Sequence, residues 1–158
     1  MSQITLKGII DEDFVNYRVP SMTLEFPHCT FKCGENLCQN SPLVKEPDIH
    51  TDVNKLCERY IDNPITEAIV FQGLEPFESL DDVVEFIKTF REEYNRDDDI
   101  VIYTGYTEEE LPDTIEYLQF FKNIVIKFGR YIPDQNPHFD EILGVNLASS
   151  NQYAKRIS

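Results

Sequence analysis

Three of the four cysteines, Cys29, Cys33 and Cys38, fall within ten residues on a polar loop that directly follows an apolar run. Their spacing is C-x3-C-x4-C, in the stretch Phe26-Pro27-His28-Cys29-Thr30-Phe31-Lys32-Cys33-Gly34-Glu35-Asn36-Leu37-Cys38. Thiolates gathered on one short loop wrap a single soft-metal centre, and few folds need such a cluster for packing alone. A chance group of small buried side chains is the competing reading, because free Cys often serves as a small hydrophobe. Three thiolates satisfy three irons of a [4Fe–4S] cluster and leave the fourth iron open. A structural zinc site asks for four closed ligands instead. His28 is the available fourth donor for zinc, although neighbours such as His28 and Cys29 rarely reach the same ion.

The remaining composition narrows the setting. A chain of 158 residues with 41% hydrophobic content, eleven Phe and eight Tyr suits one compact domain over 1–158 with a real core. No apolar run of ~18 residues exists, so no membrane span is expected. The opening Met1-Ser2-Gln3-Ile4-Thr5-Leu6-Lys7 lacks a basic segment followed by an apolar one, so no secretory leader is expected. A reducing cytoplasm is the expected setting, where clustered cysteines bind metal or do redox chemistry more often than they form disulfides. The net charge of −15, with 29 acidic against 14 basic residues, repels phosphate backbones and argues against nucleic acid as a partner.

Taken in order, residues 1–20 read as an irregular or β-edge lead-in ended by Val19-Pro20. Met22, Leu24 and Phe26 alternate as one face of a strand over 21–26, which Pro27 stops. Val53, Leu56, Cys57 and Tyr60 recur at helical spacing over 52–61, and Cys57 on that stripe reads as a buried thiol, not a ligand. Ala68-Ile69-Val70-Phe71 is a continuous apolar run of the kind a strand buried on both faces requires. Ser79 is the expected N-cap of the next helix, whose stripe is Leu80, Val83, Val84, Ile87 and Phe90. Strands follow at 100–103 and 123–128. Between them Thr107 and Glu110 form a capping box that opens a helix expected to be interrupted early by Pro112. From Tyr131 on, 131–158 is expected to be irregular chain looping back over the sheet.

Alternation of strands and helices implies a mainly parallel sheet. In such a sheet all strand C-termini share one edge, where ligands of α/β folds bind. The first strand end carries the three cysteines and the second Gln72-Gly73-Leu74-Glu75-Pro76. The third carries Tyr103-Thr104-Gly105-Tyr106 and the fourth Gly129-Arg130. A metal cluster beside a small polar cofactor suits that edge. His50 and His138 lie away from it in sequence and are expected to be surface or structural.

These motifs together resemble the short radical S-adenosylmethionine (SAM) proteins, in particular the activating proteins of anaerobic ribonucleotide reductases. The resemblance runs over roughly residues 20–130. It rests on the cysteine loop, on Gly73-Leu74-Glu75-Pro76 in place of the family's Gly-Gly-Glu-Pro, and on Ile102-Tyr103-Thr104-Gly105-Tyr106. It implies a single-domain, incomplete TIM-like β/α barrel. It also implies a [4Fe–4S] cluster on Cys29, Cys33 and Cys38, and SAM held by Gly73, Leu74, Glu75 and Thr104. Reductive cleavage of SAM would give methionine and a 5′-deoxyadenosyl radical that takes hydrogen from a glycine. The implied partners are a large glycyl-radical enzyme (an anaerobic ribonucleotide reductase) and an electron donor such as flavodoxin or ferredoxin. Three departures stand beside it. The second Cys interval has four residues where that family has two, Leu37 stands where an aromatic is common, and Leu74 replaces a Gly. They motivate the alternative of a non-catalytic iron–sulfur or zinc-binding domain that acts as a protein-interaction module.

Overall fold

The computed structural model describes residues 2–28 and 46–158. The three clustered cysteines, Cys29, Cys33 and Cys38, lie outside the described residues. A central sheet organises the rest. Its four middle strands, β3 (Ser21–Phe26), β5 (Ala68–Gly73), β6 (Asp99–Tyr103) and β7 (Ile124–Phe128), run parallel, as the strand–helix alternation predicts. The edges are antiparallel: the lead-in read as irregular or β-edge supplies one, and the segment 131–158, expected to be irregular, supplies the other. β2 (Gly8–Asp13) pairs antiparallel with β3, and β10 (Tyr153–Arg156) pairs antiparallel with β7. The described strands therefore form an open, mixed six-stranded sheet in the order β10-β7-β6-β5-β3-β2, with no closed barrel.

The segments expected to be irregular carry these edges and more. β1 (Gln3–Leu6) pairs antiparallel with β4 (Ile49–Asp52) in a separate ribbon, and β8 (His138–Asp140) pairs with β9 (Val145–Leu147) in another. Each of these strands is short; β1 and β4 pair across distant chain, whereas β8 and β9 form a local hairpin.

The described helices cover one face of the sheet. α1 (Val53–Ile61) is capped by Asp52, whose carboxylate accepts the Asn54 N–H at 2.7 Å. Its buried residues are the predicted stripe, Val53, Leu56, Cys57 and Tyr60. α2 (Leu80–Lys88) buries Val83, Phe86 and Ile87, and a wider π-type turn (Thr89–Glu93) continues it and keeps Phe90 inward. Leu80 and Val84 are only half-buried, so Phe86, absent from the expected stripe, takes the central place. Phe86 stacks on Phe90 and meets Phe71 edge-on, and Phe71 meets Phe26. α3 (Pro112–Leu118) contributes Leu118 to the same core.

Two local expectations change in detail. Ser79 makes no side-chain cap; a 3₁₀ turn, Pro76–Ser79, precedes α2 and Glu75 caps that turn instead. Pro112 does not interrupt a helix but begins α3, where a missing N–H costs nothing. The Thr107–Glu110 capping box is present and closes a separate short turn, Glu108–Glu110.

The opposite face packs Ala68, Val70, Val101 and Val125 against Tyr17, Leu143, Leu147 and Ala154. Among the described residues its cover is the 14–19 loop and the β8–β9 hairpin, while Ala154 belongs to the edge strand β10 of the sheet itself. No helix among the described residues is long and apolar enough to cross a membrane.

Candidate cofactor site at the strand ends

Parallel pairing brings the C-terminal ends of β3, β5, β6 and β7 to one edge, and hydrogen bonds tie the turns that follow them. Gly73 is the last residue of β5, opposite Phe26. Its φ of +95° lies in the left-handed region, and a Cβ there would stand 2.4 Å from the Phe26 nitrogen. Only glycine permits that backbone path and that approach. The next residue, Leu74, donates its N–H to the Phe26 carbonyl at 3.0 Å, so the turn after β5 is fastened to the end of β3.

Glu75 then crosses to β6. Its carboxylate accepts the Gly105 N–H at 2.8 Å on Oε1, and the Thr104 hydroxyl at 2.8 Å and the Phe77 N–H at 3.1 Å on Oε2. Glu75 is 5% exposed and Thr104 2% exposed. Burial pushes the Glu75 carboxyl above the usual carboxylate range; the donors from Gly105, Phe77 and Thr104 and the charge of Lys127 oppose that shift. Thr104 also accepts the Tyr106 N–H on its hydroxyl oxygen at 3.1 Å. A second tie joins the same two turns, as the Tyr106 hydroxyl donates to Glu78.

The tie to β7 runs through the backbone and Lys127. Thr104 N–H donates to the Lys127 carbonyl at 2.9 Å, and Gly129 N–H to the Tyr106 carbonyl at 3.0 Å. The Lys127 ammonium, buried to 7% exposure, donates to the Gly129 carbonyl at 2.8 Å and to the Thr104 carbonyl at 3.4 Å. Arg130 stands over Gly105 and faces Glu110 at 3.4 Å. Lys127 was missed at the sequence level because it reads as a solvent-side position in a strand; its apolar flanks, Ile126 and Phe128, are the only hint of its burial.

The predicted edge residues Gly73, Leu74, Glu75 and Thr104 are thus brought together, and the predicted turns at 103–106 and 129–130 join them. The cysteines at 29, 33 and 38 and their ligand roles fall outside the described residues. His28 is exposed. His50 shares a hydrogen bond with Thr5, and His138 with the Gln152 carbonyl, in keeping with their structural reading. Cys57 is fully buried and its thiol is pushed up to about 12, mainly by burial, with Glu93 and Glu58 adding to the shift. Among the described residues no group of three or more His, Cys, Asp or Glu side chains is arranged to hold a metal ion.

The chemistry of the donor set fits an iron–sulfur cluster. Three thiol side chains follow β3 directly in the chain, and the strand end they follow is bonded to the Gly73–Glu75 turn. No curated protein and no solved structure matches the chain. The profile of a family described as "4Fe-4S single cluster domain" matches residues 19–152, from just before β3 to the residue before β10. The chain belongs to that family of 4Fe-4S single cluster domains.

Proposed function

We propose that this protein is a radical SAM enzyme of the glycyl-radical-activating kind, with an anaerobic ribonucleotide reductase as its partner and a flavodoxin- or ferredoxin-type protein as its electron donor. The observation that carries the reading is the Gly73–Glu75 turn. It is bonded through Leu74 to Phe26, the last residue of the strand that leads into the cysteine loop.

Cys29, Cys33 and Cys38 would hold the cluster, and three thiolates for four irons would leave a place for SAM. When bound and reduced, the cluster supplies the electron that splits SAM at its sulfonium into methionine and a 5′-deoxyadenosyl radical. The protein's own share is placement. Gly73 and Leu74 turn backbone carbonyls toward the methionine amino group, Glu75 fixes that turn, and Thr104 supports it from the neighbouring strand. The helix-covered face is dry and aromatic, so water is kept from one side of the edge. An incomplete barrel is the fold this function implies, and the one-sided layering of helices suits it. The net charge of −15 suits docking on a basic partner surface.

A second reading rests on the C-x3-C-x4-C spacing, Leu37 and Leu74, and keeps a bound metal or cluster without SAM chemistry. One experiment separates them. The protein is reconstituted anaerobically with iron and sulfide, reduced with dithionite, and followed by electron paramagnetic resonance with and without SAM. A [4Fe–4S]⁺ signal that changes with SAM, followed by 5′-deoxyadenosine release, is the expected result. A cluster indifferent to SAM selects the second reading, and stoichiometric zinc in place of iron rejects radical chemistry altogether.

A further inference from the structure

The turn proposed to meet the cofactor's amino group does not hold its shape alone. Leaving β5, the turn is tied to Phe26 through the Leu74 N–H and to itself through the Glu78 N–H on the Glu75 carbonyl, and Gly73 takes a left-handed conformation that glycine enters at no steric cost. Side-chain bonds from the next strand add to these. Thr104 donates to the Glu75 carboxylate while accepting the Tyr106 N–H, so one hydroxyl joins the two turns and shapes its own. Three residues beyond Glu75, Glu78 takes the Tyr106 hydroxyl, a separate bond between the same two turns.

We infer that Thr104 and Tyr106 are positioning residues, which set the Gly73–Glu75 backbone for the α-amino end of an amino-acid-bearing cofactor through Glu75 and Glu78. The inference rests on the reading of this edge as the SAM site. Thr104 then acts on the cofactor through Glu75, and its 2% exposure is consistent with a hydroxyl already engaged on both sides. Tyr106 acts from farther out; removal of its hydroxyl leaves the ring packed against the helix-side core. A carboxylate at Glu75 is what allows the device: its two oxygens take three donors from two turns, more than a neutral hydroxyl at that place accepts.

The test uses the full chain with Thr104→Val, Thr104→Ser and Tyr106→Phe, in two measurements. In the metal-free protein, hydrogen exchange at the Gly105 and Phe77 amides reports the tie itself. Thr104→Val and Tyr106→Phe are expected to speed exchange there roughly 3- to 10-fold with α1 amides unchanged, and Thr104→Ser to restore the wild-type rate. In the anaerobically reconstituted protein, SAM is titrated against the electron paramagnetic resonance signal. Iron content is expected to stay at the wild-type level while half-saturation moves to roughly 3- to 10-fold higher SAM in Thr104→Val and Tyr106→Phe, and back in Thr104→Ser. Unchanged exchange overturns the coupling of the turns. Faster exchange with unchanged SAM titration overturns the positioning role. A wild-type signal indifferent to SAM rejects the site reading itself and the cofactor role with it.

Discussion

The carboxylate of Glu75 accepts the backbone N–H of Gly105 at 2.8 Å, across thirty positions of chain, and so joins the turn after one parallel strand to the turn after the next. Because that carboxylate is buried and serves three donors, its removal orphans all three at once. Glu75→Ala is expected to lower the unfolding free energy by about 3 kcal/mol, since each buried unpaired donor costs ~1–3 kcal/mol and water can recover part of it. Glu75→Gln is expected to fall between, because wherever its amide NH₂ points it meets another N–H. Urea unfolding of the three proteins checks the order; equal stability of Glu75→Ala and wild type would mean that the Glu75 carboxylate does not hold the two turns together.

Gly73 and Gly105 lie on adjacent turns and predict opposite outcomes. At Gly73 a Cβ meets backbone at 2.4 Å and φ is +95°, whereas at Gly105 the nearest atoms are side-chain atoms of Arg130 and Glu75 at 3.5 Å with no left-handed φ. Gly73→Ala is expected to cost upwards of ~3 kcal/mol, strain and steric shift together. Gly105→Ala is expected to change stability by less than ~1 kcal/mol. Thermal melts of both, side by side, decide the matter.

Acid stability turns on Asp99. Burial pushes its carboxyl up, but hydrogen bonds from Arg156, at 3.0 and 3.1 Å, and from Tyr17, at 2.6 Å, hold it below the usual carboxylate range. A lowered carboxyl contributes stability that is complete above the ordinary value near 3.8 and disappears as pH falls through the folded value. Arg156→Gln is therefore expected to be less stable than wild type at neutral pH, with the gap closing below about pH 4. Unfolding midpoints in urea from pH 7 down to pH 3 measure it; a gap that stays constant with pH would mean that Arg156 contributes packing alone.

Cys57 is the thiol expected to take no part in cluster binding. Fully buried and pushed up to about 12, it is expected to resist alkylation in the folded protein and to react only on unfolding. Cys57→Ala is expected to keep full iron loading and to lose about 1 kcal/mol of stability from the small cavity. Iron analysis after reconstitution, with quantified alkylation by mass spectrometry, checks both halves.

Much of this architecture is written locally. The Val53-Leu56-Cys57-Tyr60 stripe, the apolar runs at 68–71, 100–103 and 124–128, and the Thr107–Glu110 box each act over one element. A helix face or a doubly buried strand needs no distant partner to be recognised. The strand–helix alternation then made a parallel core, and one edge carrying Gly73, Leu74, Glu75 and Thr104, a consequence of connectivity. β10 escaped, and β2 was legible only as an irregular or β-edge lead-in, because an edge strand is defined by the neighbour it finds: Gly8–Asp13 ends in three acids, and Tyr153–Arg156 is mostly exposed. Ser79 and Glu75 exchanged roles for a similar reason. A cap is chosen by where the turn begins, and the 3₁₀ turn at Pro76 moved that point back toward the sheet.

The cysteine spacing, the order of the strand-end motifs and the parallel core are legible along the chain, because each depends on spacing between near neighbours. Which groups at that edge hold one another follows from the folded sheet. Glu75 and Thr104 are twenty-nine positions apart, and Lys127 is twenty-three from the Thr104 carbonyl it supports. Such bonds arise from the register between neighbouring strands, which lines up Ile102 with Phe71 and Tyr103 with Lys127. A one-residue slip would turn each strand's buried set to the other face, so the register is settled only once the strands lie side by side in the packed sheet.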